Sequence, residues 1–417
     1  MKTPSRTSIR AAVAIAAVVA VAPVTAAAAT SSSPSSGAAT ADSALPPPPL
    51  TVTTDDAGTA DGDIFVSPFG KADTYGNGAE ILSPDGQQVL WFHPVPAGQE
   101  ISDFRTQTYR GQPVLTFWQG TGLGGLTQGT DYIYDTHYRQ IAAVHAGNGQ
   151  SADGHEFLIT GQNTALILSY ASATADLTDI GGPANQKVIN GIVQEIDINT
   201  GKVLFEWNSA DHVPFSESEQ PLPASASTPW DWFHVNAVKQ DGRGHLLIDA
   251  RNTWTTYQVN RHTGAINWKL GGNDSSFTLQ AADGQVLNDD GKLFAWQHDA
   301  EAHGHGVYTV FDNEAAGAAN TGTGVSSELP YSRSITVALD VRRHTATLVD
   351  SADQPQGQLA SSQGNTQLLP NGDLFTGWGS LPGFSESSPS GQVVFAAHFP
   401  DGVNSYRAYR LPWHPAP

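Results

Sequence analysis

The chain has 417 residues, no cysteine and a formal charge of −20. The missing cysteines exclude disulfides, a thiolate nucleophile and cysteine-bound zinc, so stability has to come from a large buried core. The acidic balance makes nucleic acid and anionic membrane surfaces poor partners, and no segment after the first thirty residues is apolar enough to span a bilayer.

Lys2, Arg6 and Arg10 lead into "AAVAIAAVVAVAPVTAAAAT". This reads as a secretory signal peptide over residues 1–29, and it implies an exported, extracellular protein. Pro23 and the Ala-rich composition argue against a membrane anchor. Residues 30–48 are rich in Ser, Ala and Pro and read as a flexible linker. Residues 49–417 are expected to form one domain.

Helical periodicity is absent after residue 50. Short runs of β-branched and aromatic residues are punctuated by Gly, Asn and Asp, which says all-β. One hairpin pattern recurs: "AEILSPDGQQVLWF" (79–92), "DYIYDTHYRQIAAV" (131–144), "VQEIDINTGKVLFEW" (193–207), "TYQVNRHTGAINW" (256–268) and "TVALDVRRHTATLV" (336–349). A looser copy is "VVFAAHFPDGVNSYRAY" (393–409). A second hairpin follows each of the first five, beginning near residues 101, 153, 234, 297 and 364. An outer hairpin and the inner one after it make a four-stranded unit. Such units arranged around an axis make a β-propeller. We expect six blades. The sixth is assembled from the last hairpin and the segment 51–68, so that N-terminal strands close the ring.

Aligning the inner hairpins puts His155, His234 and His298 at the start of the innermost strand in blades two, three and four. Arg105 falls there in blade one, and Asn365 or Thr366 in blade five. These side chains are expected to converge at one mouth of the central channel. Arg251 ends the strand after His234 and returns to the same mouth. A buried arginine needs an anion, either a ligand or an acid such as Asp249. Trp230, Trp232, Phe233, Phe294 and Trp296 either wall a pocket for a flat ring or fill blade cores. Imidazoles, a guanidinium and aromatic walls suit an oxyanion attached to an aromatic group. Neutral imidazole is a nucleophile at sulfur or phosphorus, and arginine stabilises the oxygens in flight. A second histidine can protonate a departing phenolate, whose parent phenol has a pKa of about 10.

Other motifs carry less. "GTGLGG" (120–125) has no helix after it and is a loop. No GxxxxGK[ST] phosphate loop occurs. "HDAEAHGH" (298–305) offers His298, Asp299, Glu301, His303 and His305 to a metal. "NDDG" (288–291) reads as a turn, with a calcium site as the alternative.

At "HVN" (234–236) followed by Arg251, with "GHEF", "QHDAE" and "GNTQLLPNGDLFTGWG" in support, the chain resembles the exported, nucleotide-independent arylsulfotransferase family over roughly residues 75 to 415. The resemblance implies a six-bladed propeller that carries a sulfuryl group from an aryl sulfate to a phenol through a sulfated histidine. It implies His298 as nucleophile, with His155, His234, Asn236 and Arg251 as the sulfate-binding and acid/base set, and Thr366 in the site. It implies no metal or cofactor, and small aryl sulfates and phenols as partners. The long N-terminal sandwich domain of some members is missing here, and the spacings leading to His298 are shorter. The sequence leaves the roles of His234 and His298 exchangeable. A non-catalytic binding or scaffold propeller and a metal-dependent hydrolase or lyase are the rival readings.

Overall fold

The computed structural model describes residues 45–122, 127–316, 326–327 and 329–416. The expected signal peptide, most of the linker and part of the "GTGLGG" loop lie outside the described residues. Six small antiparallel sheets stand in a ring, forming a six-bladed β-propeller. Apart from short 3-10 turns there is no helix among the described residues.

From channel to rim, the first blade runs Asn404–Leu411, Asp63–Phe69, Gly78–Leu82, Val89–Pro94. The second runs Glu100–Tyr109, Gln112–Thr121, Gln128–Tyr134, Gln140–Val144. The third is Phe157–Ile159, Thr164–Ala175, Gln186–Asp197, Val203–Asn208, with Trp230–Asp231 paired parallel to Gln186–Asp197. The fourth is Val235–Asp241, His245–Ala250, Thr255–Asn260, Ile266–Gly271. The fifth is His298–Ala302, Val307–Asp312, Arg333–Asp340, Thr345–Asp353, with Thr278–Ala281 added at its rim. The sixth is Asn365–Leu368, Leu374–Gly377, Gly383–Ser387, Val393–His398, with Thr51–Asp55 outermost.

This order corrects the phase of the repeat. Each blade begins with its inner hairpin, and the outer hairpin follows. His155, His234 and His298 therefore open the third, fourth and fifth blades. The segment 393–409 is not one hairpin either. Val393–His398 ends the sixth blade, and Asn404–Leu411 crosses over to become the innermost strand of the first. Closure is thus double: Thr51 pairs with His398, and Asp63 with Leu411.

Middle strands are apolar on both faces because each blade packs against two neighbours. Leu166, Leu168 and Val193 of the third blade meet Val235, Val238 and Ile248 of the fourth. Leu247 and Trp268 of the fourth meet Val310 and Ile335 of the fifth. Each such side chain contributes about 1.5–3 kcal/mol on burial. Rim strands face water on one side, so Val89 and Leu90 remain half exposed.

Four innermost strands carry a β-bulge near the channel mouth. The extra residues fall between Ser102 and Arg105, Val235 and Ala237, His298 and Glu301, and opposite Val66–Pro68 around Tyr406 and Arg407. A bulge re-aims side chains. Asp103, His234 and Asp299 take left-handed backbone, at φ 49°, 53° and 55°. Non-glycine residues hold such angles only where the surroundings impose them.

Candidate active site

Two layers of side chains fill the channel. The deeper one is ionic. Arg407 Nη1 lies 3.0 Å from Asp103 Oδ1, 3.0 Å from Glu156 Oε2 and 3.4 Å from Asp299 Oδ1. Lys239 Nζ lies 2.7 Å from Glu156 and 2.9 Å from Asp299. Arg105 pairs with Glu156 and with Asp103. Three cations balance three carboxylates, and every one has an oppositely charged neighbour. Burial works against the charge on Lys239, but Asp299 and Glu156 outweigh it and raise its pKa. Arg105, expected to touch a ligand, is committed to this plug. The bulge at Asp103 and Phe104 offsets the register, and Ser102, just before it, donates to Gly154 O.

The upper layer holds the histidines. The His155 and His234 rings meet edge to face at 5.1 Å. His155 Nδ1 bonds Asp153, and His234 Nδ1 bonds Asp231. The carboxylates accept, so Nδ1 carries a proton in both rings, and neutral His234 keeps its lone pair on Nε2. The Asp231 backbone sits at the end of a parallel strand, held by Asn252 Nδ2 at 2.5 Å from its carbonyl. His298 reaches the same tautomer by another route. Asn313 Nδ2 donates to Ala360 O at 2.9 Å and Gln363 O at 3.0 Å, so Asn313 Oδ1 must face His298 Nδ1, at 2.7 Å. His298 Nε2 accepts the Gln363 backbone N–H at 3.2 Å.

Burial lowers the pKa of His298 well below the ordinary histidine value, and Arg251 adds to the effect. His234 is lowered by burial too, with Asp231 partly opposing. Both are neutral at pH 7. Asp153 is buried, but His155 and its hydrogen bonds more than offset this and lower its pKa.

Arg251 occupies the 3-10 turn after His245–Ala250 and is 2% exposed. Its Nη1 donates to Asn252 Oδ1 at 3.0 Å and its Nη2 to Ser361 O at 2.9 Å, while Nε has no acceptor. The guanidinium stacks 5.0 Å from the Trp296 ring. Among the described residues no carboxylate forms an ion pair with it. Asp249, the alternative partner, accepts instead from Thr256 at 2.7 Å and Gln297 at 2.9 Å, and burial pushes its pKa up to about 7. Burial lowers Arg251 to about 10, so it stays charged at neutral pH.

The remaining expected residues divide. Trp296 is at the site, edge-on to Trp254 at 5.5 Å. Trp232 is not: it is fully buried, packed on Phe215 and Phe233, and bonded to Asn190 at 3.0 Å. Asn236 is fully buried and donates to Gln297 O at 2.7 Å, strapping the fourth blade to the fifth. Asn365 spends both amide ends on Ala408, at 2.8 and 2.9 Å. Thr366 bonds Ser334 at 2.7 Å. Of the "HDAEAHGH" set, Asp299 is in the plug, His303 bonds Thr309 at 2.8 Å and His305 is exposed. Among the described residues no group of three acids or histidines stands ready for a metal.

Sequence reasoning missed Asp153, Asp231, Tyr170, Trp254, Asn313 and Tyr406. Two were in reach: "DGH" and "DWFH" each put an acid just ahead of the histidine it orients.

A family model described as Arylsulfotransferase (ASST) matches residues 105–400, more than half of the chain. No curated protein matches. Among solved structures, a protein of unknown function from Bacteroides caccae is 12% identical, covers 84% of this chain and 98% of its own, and has a TM-score of 0.47. The dihydro-heme d1 dehydrogenase NirN is 11% identical over 87% of this chain and 80% of its own, at a TM-score of 0.35. The GH43 protein BlXynB from Bacillus licheniformis is 11% identical over 76% and 58%, also at 0.35. At these values the structural likenesses decide nothing about this chain.

Proposed function

The chain belongs to the arylsulfotransferase family, and on that premise we propose that it moves a sulfuryl group from an aryl sulfate ester to a phenol by a ping-pong route through a sulfated histidine. Family membership supports aryl sulfotransferase activity in general. The observation that carries the finer reading is Arg251: a buried guanidinium with no ion pair to any described acid, close to His234 and His298.

A sulfate monoester supplies the missing anion. His298 Nε2 attacks sulfur as the Gln363 N–H lets go. The S–O bond to the aryl group breaks and the phenolate leaves without a proton from His234, whose only proton, on Nδ1, is held by Asp231. Arg251 holds the sulfuryl oxygens through this change. An incoming phenol then gives its proton to His234 Nε2 and attacks the same sulfur. The N–S bond breaks and His298 returns to its starting state. The Nδ1–H bond to Asn313 keeps the proton off Nε2, so its lone pair is free to attack and returns when the N–S bond breaks. The reading includes export, from the signal at residues 1–29, checked by finding the shortened protein outside the cell.

One observation favours exchanging the two histidines. His298 Nε2 is engaged by Gln363, whereas no described group bonds His234 Nε2. Release of 4-nitrophenol from its sulfate, with and without a second phenol and in chelator, tests the reaction in the wild type, His298→Ala and His234→Ala. Acceptor-dependent release lost in His298→Ala supports the reading. Release to water alone sinks the transferase. Mass spectrometry of the peptide that gains a sulfuryl group, taken without acceptor, decides between the histidines.

A further inference from the structure

Two tyrosines face the His155–His234 pair, and they differ in one respect. Tyr170 lies 6.1 Å from His155 and 5.8 Å from His234, ring to ring, and its hydroxyl donates to Val235 O at 2.7 Å. Tyr406 stands edge to face with His155 at 5.5 Å, and its hydroxyl is buried with no partner among the described residues. Such a donor is costly to leave unmet. Tyr406 is 0% exposed and lies in the bulge of Asn404–Leu411, the strand that crosses over to close the ring. Arg407, next in sequence, locks that bulge into the ionic plug and stacks 5.5 Å from the Tyr406 ring. The hydroxyl's position is therefore fixed from below. Arg251, with its own unmet Nε–H, is near enough to feel Tyr406 electrostatically. Burial holds the phenol protonated, its pKa well above the ordinary value, so it can only donate to an anion. Tyr406 lies beyond the family-matched segment, which ends at residue 400.

We propose that the Tyr406 hydroxyl donates a hydrogen bond to a sulfuryl oxygen of the bound ester, completing with Arg251 the cradle for the transferred group. This rests on the sulfuryl-transfer reading. Two unmet donors, one cationic and one neutral, then meet one tetrahedral anion, and the imidazoles are left to the nucleophilic and proton-transfer work.

The test is Tyr406→Phe, which removes one oxygen and leaves the ring against His155. With 4-nitrophenyl sulfate as donor, kcat/KM is expected to fall about 10²-fold, the size of one lost oxyanion donor. The melting temperature should hold or rise, because a stranded hydroxyl is gone. Competitive inhibition by 4-nitrophenol, which has no sulfuryl oxygens, should be unchanged. An unaltered kcat/KM overturns the proposal, as does a parallel loss of melting temperature and 4-nitrophenol affinity, which would mark Tyr406 as packing. If the wild type proves inactive on aryl sulfates, the transfer reading fails on its own. Calorimetric binding of 4-nitrophenyl sulfate to both proteins then decides: weaker binding in the variant, with 4-nitrophenol unchanged, keeps the donor, and equal binding removes it.

Discussion

The two layers of the channel are built from similar residues and arrive at opposite states. In the plug, Arg105, Lys239 and Arg407 are matched against Asp103, Glu156 and Asp299, and every charge has a counter-charge in contact. In the layer above, Arg251 is as buried as Arg407 and has no ion pair among the described residues. Among the described residues the acids there, Asp153 and Asp231, each accept from an imidazole Nδ1. A buried charge that is satisfied is architecture. One that is left open is a place for something else.

The contrast can be broken from either side. Arg251→Met is expected to lower kcat/KM for aryl sulfate by about 10³- to 10⁵-fold, as for arginines that stabilise a transferring oxyanion. Its unfolding free energy should change little, because no acid is stranded. Steady-state kinetics beside denaturant unfolding measure both. A large stability loss would mean the guanidinium is structural.

Arg407→Met should do the reverse. It strands Asp103, Glu156 and Asp299 with too few cations, and the cost is about 3–5 kcal/mol by denaturant unfolding. Native stability in this variant would erase the distinction between the layers.

Asp231→Asn sharpens the upper layer. The amide can donate to Nδ1 and so move the proton to Nε2, the wrong tautomer for a base. We expect kcat to fall about 10²-fold or more, with stability near wild type. The pH profile follows from the same dyad. The His234 pKa lies below its ordinary value, so the base is neutral and competent at pH 7. As pH falls through that lowered value, His234 takes a proton and kcat/KM for the acceptor phenol falls. The inflection should lie below about 6.5, the ordinary histidine value. An inflection above that would contradict the desolvated site.

Trp232→Phe is the smallest perturbation of the chemistry. It removes core volume and the bond to Asn190, for about 1–3 kcal/mol of stability. Activity per folded molecule should not change. A loss of activity without one of stability would return Trp232 to the pocket.

The sequence was informative where chemistry repeats at a fixed place in the repeat. His155, His234 and His298 were legible together because each opens an innermost strand. Arg251 was legible because its strand runs back to the same mouth. The phase of the blades was not legible. The link from Pro94 to Glu100 joins two sheets and that from Ala250 to Thr255 joins two strands of one sheet, yet the two are of similar length. Only pairing between distant strands separates them. Arg105 was misplaced by the two-residue bulge at Asp103, which no periodicity announces. Asn365 spends both amide ends on the Ala408 backbone and Asn236 spends its amide nitrogen on Gln297 O, partners on other blades that no local pattern announces. Tyr406 was missed because its strand looked like half of an outer hairpin.

The crossover strand has a consequence for timing. Synthesis runs from the N-terminus at roughly 5–20 residues per second, and domains fold as the chain allows. The first blade has to wait, with Asp63–Phe69 unpaired on its channel side, until Asn404–Leu411 exists. Arg407 and Tyr406 arrive on that same strand, so the ionic floor and the last wall of the pocket are fitted in one event. A half-made or clipped propeller can keep all three histidines and still have no vessel to hold an anion. The ring is its own safety catch: chemistry begins only when the circle is complete.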